Sequence, residues 1–186
     1  MRVFRIQNDV NRYQFFLGRT DADYEILQMD GTPKLESWKA PEVIVYKPKH
    51  QRGDFFQFYS NHLITSPRAT EVLRGFLEMS GELLPLPYKG EEYTLLNVTE
   101  CIDCLDQDKC EWLLNKDTGE RIYPLKYVFR PGWFTESPLF KIPETCKGEV
   151  LLIEGMRDAD REFRAVVKRN GLKGMLFDEL LWSDDE

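Results

Sequence analysis

The segment "ITSPRATEVLRGFLEMSGELLPL", residues 64 to 86, restricts the fold more than any other part of the chain. Ser66 is a suitable helix N-cap, and Pro67 fits the first helical position, where its missing N–H is not needed. Ala69, Val72, Leu73, Phe76 and Leu77 then recur on one helical face. Gly81 sits where the helix is expected to stop, and Gly75 weakens it slightly from within. Almost everything around this helix is written in short runs of β-formers. "RVFRI", "RYQFFLG", "EVIVYKP" and "DFFQFY" precede it; "EYTLLNVTECID", "RIYPLKYVFR" and "PLFKIP" follow. In "DFFQFY", Phe56 and Phe58 share one face of an extended chain, and Phe55 and Gln57 share the other. Leu84, Leu86 and Tyr88 alternate with Pro85 and Pro87, which implies an edge strand or a connector. "MDGTP" and "DTGE" read as turns.

A second helix is expected over residues 158 to 171, with Phe163, Val166 and Val167 as its stripe and Asn170-Gly171 as its stop. "KGMLFDELLW" reads as a closing strand and "SDDE" as a charged tail. The order of strands, helix, strands, helix and strand predicts an α+β fold. It has a mostly antiparallel sheet, two main helices and a small N-terminal β lobe. Residues 1–62 form that mainly β lobe and residues 63–186 the α+β core, and the two can belong to one domain. There is no internal repeat.

The net charge of −7 repels phosphate backbones, so nucleic acid is not an expected partner. It suits a basic protein partner, although solubility alone is the plainer reading. No apolar run has the length of a membrane span, and "MRVFRIQNDV" lacks the apolar stretch of a signal peptide. A cytoplasmic location without membrane contact is expected.

"NVTECIDCLDQDKCEW" holds three of the four cysteines, Cys101, Cys104 and Cys110. With Cys146 they supply enough ligands for a structural zinc site, but not in two close pairs. If "LLNVTECID" is a strand, Cys101 and Cys104 point to opposite faces. A redox pair is disfavoured by Glu100, Asp103, Asp106 and Asp108, which raise a thiol pKa. Core cysteine beside an acidic turn is the expected arrangement, with no bound metal or cofactor. A zinc-stabilised regulatory or scaffold module on Cys101, Cys104, Cys110 and Cys146 is the alternative. "DCLDQDKCEW" lacks the glycine of a calcium-binding EF-hand loop.

His50 and His62 have no recognisable nucleophile or metal-ligand partner nearby in sequence, and no GxSxG, HExxH, Walker or GxGxxG pattern occurs. The chain is therefore not expected to be an enzyme. Trp38, Trp112, Trp133 and Trp182 suit core or interface positions.

"DFFQFYSNHLITSPRATEVL", "GELLPLPYKGEEYTLLNVTECIDCLD", "YVFRPGWFTESPLFKIPE" and "NGLKGMLFDELLW" occur in this order. Together they resemble a bacterial family first described as a domain of unknown function. That family is now class eleven of the immunity proteins of polymorphic toxin systems. The resemblance spans residues 36 to 182 and is strongest from 63 to 143. It implies a cytosolic protein that binds a cognate toxin, encoded by a neighbouring gene, and blocks it by stoichiometric contact. It carries over no catalytic residue and requires no cysteine at positions 101, 104 or 110. For a basic toxin, the expected contacts are Asp103, Asp106, Asp108 and Glu111, then Asp21, Asp23 and Glu25, then Asp178 and Glu179.

Overall fold

The computed structural model describes residues 1–27, 29–56, 62–145 and 148–180. In chain order its strands are β1 (Arg2–Asn8), β2 (Phe15–Gly18), β3 (Val43–Tyr46), β4 (Phe55–Phe56), β5 (Leu63–Thr65) and β6 (Gly81–Tyr88). They continue with β7 (Glu91–Val98), β8 (Glu111–Leu114), β9 (Arg121–Lys126), β10 (Leu139–Phe140), β11 (Leu151–Glu154) and β12 (Met175–Glu179). The helices are α1 (Asp21–Ile26), α2 (Pro67–Ser80) and α3 (Phe163–Arg169). Among the described residues every pairing between these strands is antiparallel, and the isolated bridges Tyr13–Gln51 and Cys101–Lys141 are parallel. The fold is α+β with two main helices, α2 and α3, as the periodicity predicted.

Helix α2 forms where the sequence placed it. The Ser66 hydroxyl accepts the Ala69 N–H at 3.2 Å, Pro67 opens the helix, and Ala69, Leu73 and Leu77 are wholly buried. Gly81 ends it for a different reason than expected. Its φ of 165° is extended backbone, not left-handed. A Cβ there would lie 2.0 Å from the Asn97 carbonyl oxygen on β7, so glycine is required by close approach.

Two four-stranded sheets pack against α2 and α3, in the orders β10-β11-β1-β12 and β4-β5-β7-β6. Residues alternate between faces along each strand. In the second sheet Phe55, Leu63, Leu96 and Val98 face α2 and α3, together with Phe4, Leu152 and Phe163. Phe56, Ile64, Leu84 and Leu95 face the other way, onto Phe16, Leu27 and Val43. The period-2 reading of Phe55 against Phe56 thus holds, while Gln57 and Phe58 lie outside the described residues. Strand β6 is an edge, which accommodates Pro85 and Pro87. In the first sheet Val3, Leu151 and Ile153 turn away from the helices onto Tyr127, Phe129 and Phe140.

The N-terminal third is divided among these layers. β1 sits between β11 and β12, β2 pairs among the described residues with β3 alone, and β4 pairs with β5.

Three local readings change. The strand read through "LLNVTECID" stops at Val98, because its partner β6 begins at Gly81. Beyond that point the Thr99 and Glu100 N–H groups turn to the Ser80 carbonyl. The helix expected from residue 158 begins at Phe163, after a 3-10 turn at Ala159–Arg161. Glu162 is extended there, and its carboxylate accepts the Gly155 and Arg157 N–H groups, both at 2.9 Å. Helix α1 was not expected. Thr20 and Asp23 form a reciprocal capping box at its start. Among the described residues no helix is long and apolar enough to cross a membrane.

Candidate functional site

Strands β8 and β9 form a two-stranded ribbon on the face of the first sheet opposite the helices. The turn between them is locally encoded. Asn115 Oδ1 accepts the Asp117 and Thr118 N–H groups at 2.9 and 3.3 Å. Gly119 adopts a φ of +73°, which favours glycine. Among the described residues neither strand pairs with a third strand.

The ribbon is tied to the sheet by one polar cluster. Arg5 on β1 places Nε 2.5 Å from Glu149 Oε1, and its Nη2 donates to the Tyr123 and Tyr127 phenol oxygens at 2.8 and 3.1 Å. The Tyr127 hydroxyl donates to Glu149 Oε2 at 2.7 Å, and the Tyr123 hydroxyl donates to Oε1. Burial, then Tyr123 and Glu149, hold the Tyr127 phenol far above its ordinary pKa. Trp112 closes the inner side: its indole N–H donates to the Gln107 carbonyl at 3.0 Å, and the Arg121 guanidinium lies over its ring.

With those side chains turned inward or engaged, four aliphatic residues remain outside. Leu113, Leu114, Ile122 and Leu125 are 48%, 49%, 52% and 63% exposed. Single exposed leucines are ordinary, but this one short hairpin carries four exposed aliphatic side chains. Trp133, also half exposed, sits in a 3-10 turn with Arg130 over its ring.

The acidic turn adjoins this ribbon and is not a bare negative patch. Asp106 faces Arg130 at 3.5 Å and Lys109 at 3.9 Å, Asp108 faces Arg121 at 3.8 Å, and Glu111 faces Lys126 at 3.8 Å. Asp103 is exposed beside Glu144, whose carboxyl is pushed up by burial and by that neighbour. Three carboxylates thus face four cations, three of which arrive from β9 and the segment after it, while Asp103 faces none of them.

The other expected contacts lie elsewhere. Asp178 on β12 is paired in register with Arg5, on the ribbon's side of the sheet. Glu179 points to the opposite face, where it forms a bidentate pair with Arg2. Asp21, Asp23 and Glu25 belong to α1, which packs on β2. Asp23 is consumed locally, accepting the Thr20 and Glu42 N–H groups at 2.8 and 2.9 Å. The structure therefore gathers Asp103, Asp106, Asp108, Glu111 and Asp178 on one side and leaves the α1 group apart. Sequence reasoning missed the aliphatic members of the surface. "EWLLN" and "RIYPLK" around "DTGE" were the signal, two short β-type runs joined by an Asn/Asp/Gly turn.

Cys104 and Cys110 lie beneath this surface. Cys104 is wholly buried, Cys110 nearly so, and Cys101 is exposed. The Cys110 sulfur accepts the Val128 N–H at 3.3 Å. Burial, then the Glu144 and Asp103 carboxylates, pushes the Cys104 thiol from 9.0 up to about 12. The folded value exceeds the unfolded one, so this thiol favours the fold below its unfolded value, and that contribution fades as pH rises towards 12. Iodoacetamide at neutral pH is expected to leave Cys104 and Cys110 unmodified in the native protein and to alkylate both in denaturant. Mass mapping of the adducts reads this, and native labelling of Cys104 contradicts it. Among the described residues no group of three or more His, Cys, Asp or Glu side chains is placed to hold a metal ion. Cys146 lies outside the described residues.

Comparison of the chain with protein-family models and with curated proteins gives no match.

Proposed function

We propose that this chain is a toxin-neutralising immunity protein of the producing cell's cytosol, and that it holds its cognate toxin through the β8–β9 ribbon. The observation that carries the binding role is the ribbon itself. Four half-exposed aliphatic side chains stand on a hairpin that pairs with no third strand among the described residues and is anchored to the core by Arg5 and Glu149. A hairpin of this kind offers a partner both apolar area and backbone hydrogen bonds. The assignment of the partner as a toxin rests on the family resemblance of residues 36 to 182.

The internal ion pairs decide which residues carry affinity. Asp106, Asp108 and Glu111 already face cations of their own chain, and exposed pairs contribute little. The aliphatic residues therefore dominate, with the charges setting encounter rate and orientation. Calorimetry against the product of the neighbouring gene, joined to rescue of cells expressing it, tests the reading. Binding near one to one with rescue is expected. The double variant Ile122→Asp/Leu125→Asp is expected to weaken binding by about a hundredfold or more, as loss of a central anchor does. Alanine at Asp103, Asp106 and Asp108 together is expected to weaken it by less than about tenfold. Binding that survives the double variant moves the interface off the ribbon, and absence of binding and rescue removes the immunity role.

A further inference from the structure

A cleft of about 670 Å3 opens on the other side of the first sheet, where α3 leaves β1, β11 and β12 uncovered. Its size falls in the range of small-molecule sites. Val167, Leu172, Met175 and Phe177 supply apolar lining. Arg2, Arg157, Arg164 and Lys168 bring positive charge, against the carboxylates of Glu154 and Glu162. Counting Glu179, the partner of Arg2, still leaves the cleft positive, on a chain whose net charge is −7.

Arg164 is held in place at this cleft by two rings and a carboxylate. Its guanidinium lies 4.1 Å from the Phe4 ring centroid and 5.4 Å from that of Phe177. Its Nη1 donates to Glu154 Oε2 at 3.2 Å, and its backbone N–H donates to Oε1 at 3.1 Å. The remaining side-chain N–H groups make no hydrogen bond among the described residues. Arginine presents five such donors in a fixed fork, so a position for a carboxylate is left open. Lys168, one helical turn on, has no ion pair among the described residues. Like charges at this spacing repel within a helix and gain from an anion between them. Both carboxylates of the cleft are engaged by its own groups: Glu154 holds Arg164, and Glu162 holds the Gly155 and Arg157 N–H groups.

We propose that this cleft binds a small amphipathic carboxylate, with the anion at Arg164 and Lys168 and the apolar body on Val167, Leu172, Met175 and Phe177. The site is separate from the ribbon and does not depend on the immunity role. Titration of the full chain with decanoate, followed by calorimetry, tests it beside decanol and acetate. Decanoate is expected to saturate one site below millimolar concentration. Decanol, which lacks the charge, and acetate, which lacks the body, are expected to bind at least about tenfold more weakly. Lys168→Gln and Arg164→Lys are each expected to weaken decanoate by about tenfold, the second because it keeps the charge and loses the fork. Unchanged thermal unfolding of Lys168→Gln shows that the loss is not a loss of fold. Equal binding of decanoate and decanol, no saturation at millimolar decanoate, or affinity unmoved by both variants overturns the proposal.

Discussion

Replacing Gly81 by alanine is expected to destabilise the protein by at least about 3 kcal/mol, near the upper end for single substitutions. The added methyl meets backbone: the Asn97 carbonyl oxygen at 2.0 Å, its carbon at 2.9 Å and the Thr99 nitrogen at 2.9 Å. No side chain can swing aside to relieve this. Relief requires β6 to move away from β7, and these strands are paired over the whole of Gly81–Tyr88. The junction also holds the end of α2, whose Ser80 carbonyl receives the Thr99 and Glu100 N–H groups. Gly75→Ala is the control, because a Cβ at that exposed helical position meets nothing within 4 Å. It is expected to stabilise the protein by up to about 1 kcal/mol. Urea denaturation of both variants reads the contrast. A Gly81→Ala protein as stable as the parent would mean that β6 and β7 are not packed as described.

Glu149→Ala is the second large effect. The Glu149 carboxylate is 12% exposed and receives an arginine and two phenols. Its removal leaves the Arg5 charge facing two phenol oxygens in a mostly buried place. Breaking one side of such a pair costs about 3 kcal/mol, because the other side is left uncompensated. For a chain of this length that corresponds to a fall in Tm of about 6–12 °C. Glu149→Gln keeps the acceptor oxygen and loses only the charge, so a smaller fall is expected. Both variants also loosen the hold on Tyr123, which belongs to β9. Partner binding through the ribbon should therefore weaken in the same order, alanine more than glutamine. A Tm unchanged in Glu149→Ala would show that the cluster contributes no net stability.

Much of the fold is legible because its signals are local. Ser66, Pro67 and the stripe of Ala69, Leu73 and Leu77 specify α2 within fifteen residues. The alternation of Phe55 and Phe56, and the prolines of β6, mark face and edge. The Thr20–Asp23 capping box was equally local, but α1 buries none of its residues, so no apolar period announced it. The candidate surface was harder to read. The acidic turn is visible as Asp103, Asp106, Asp108 and Glu111, but the cations that balance it are Arg121, Lys126 and Arg130, brought back by the ribbon. Likewise β7 ends at Val98 because its partner begins at Gly81, which no property of "TECIDC" expresses.

By itself the sequence determined the α+β class, the position and N-cap of α2, and the faces of the strands that bury one side, since each depends on neighbours a few residues away. The tertiary structure alone decided that the aliphatic ribbon is exposed, that the acidic turn is neutralised, and that Arg164 stands over a cleft. Each of those depends on groups distant in the chain, whose charges and surfaces are compensated or left open only once the layers have packed.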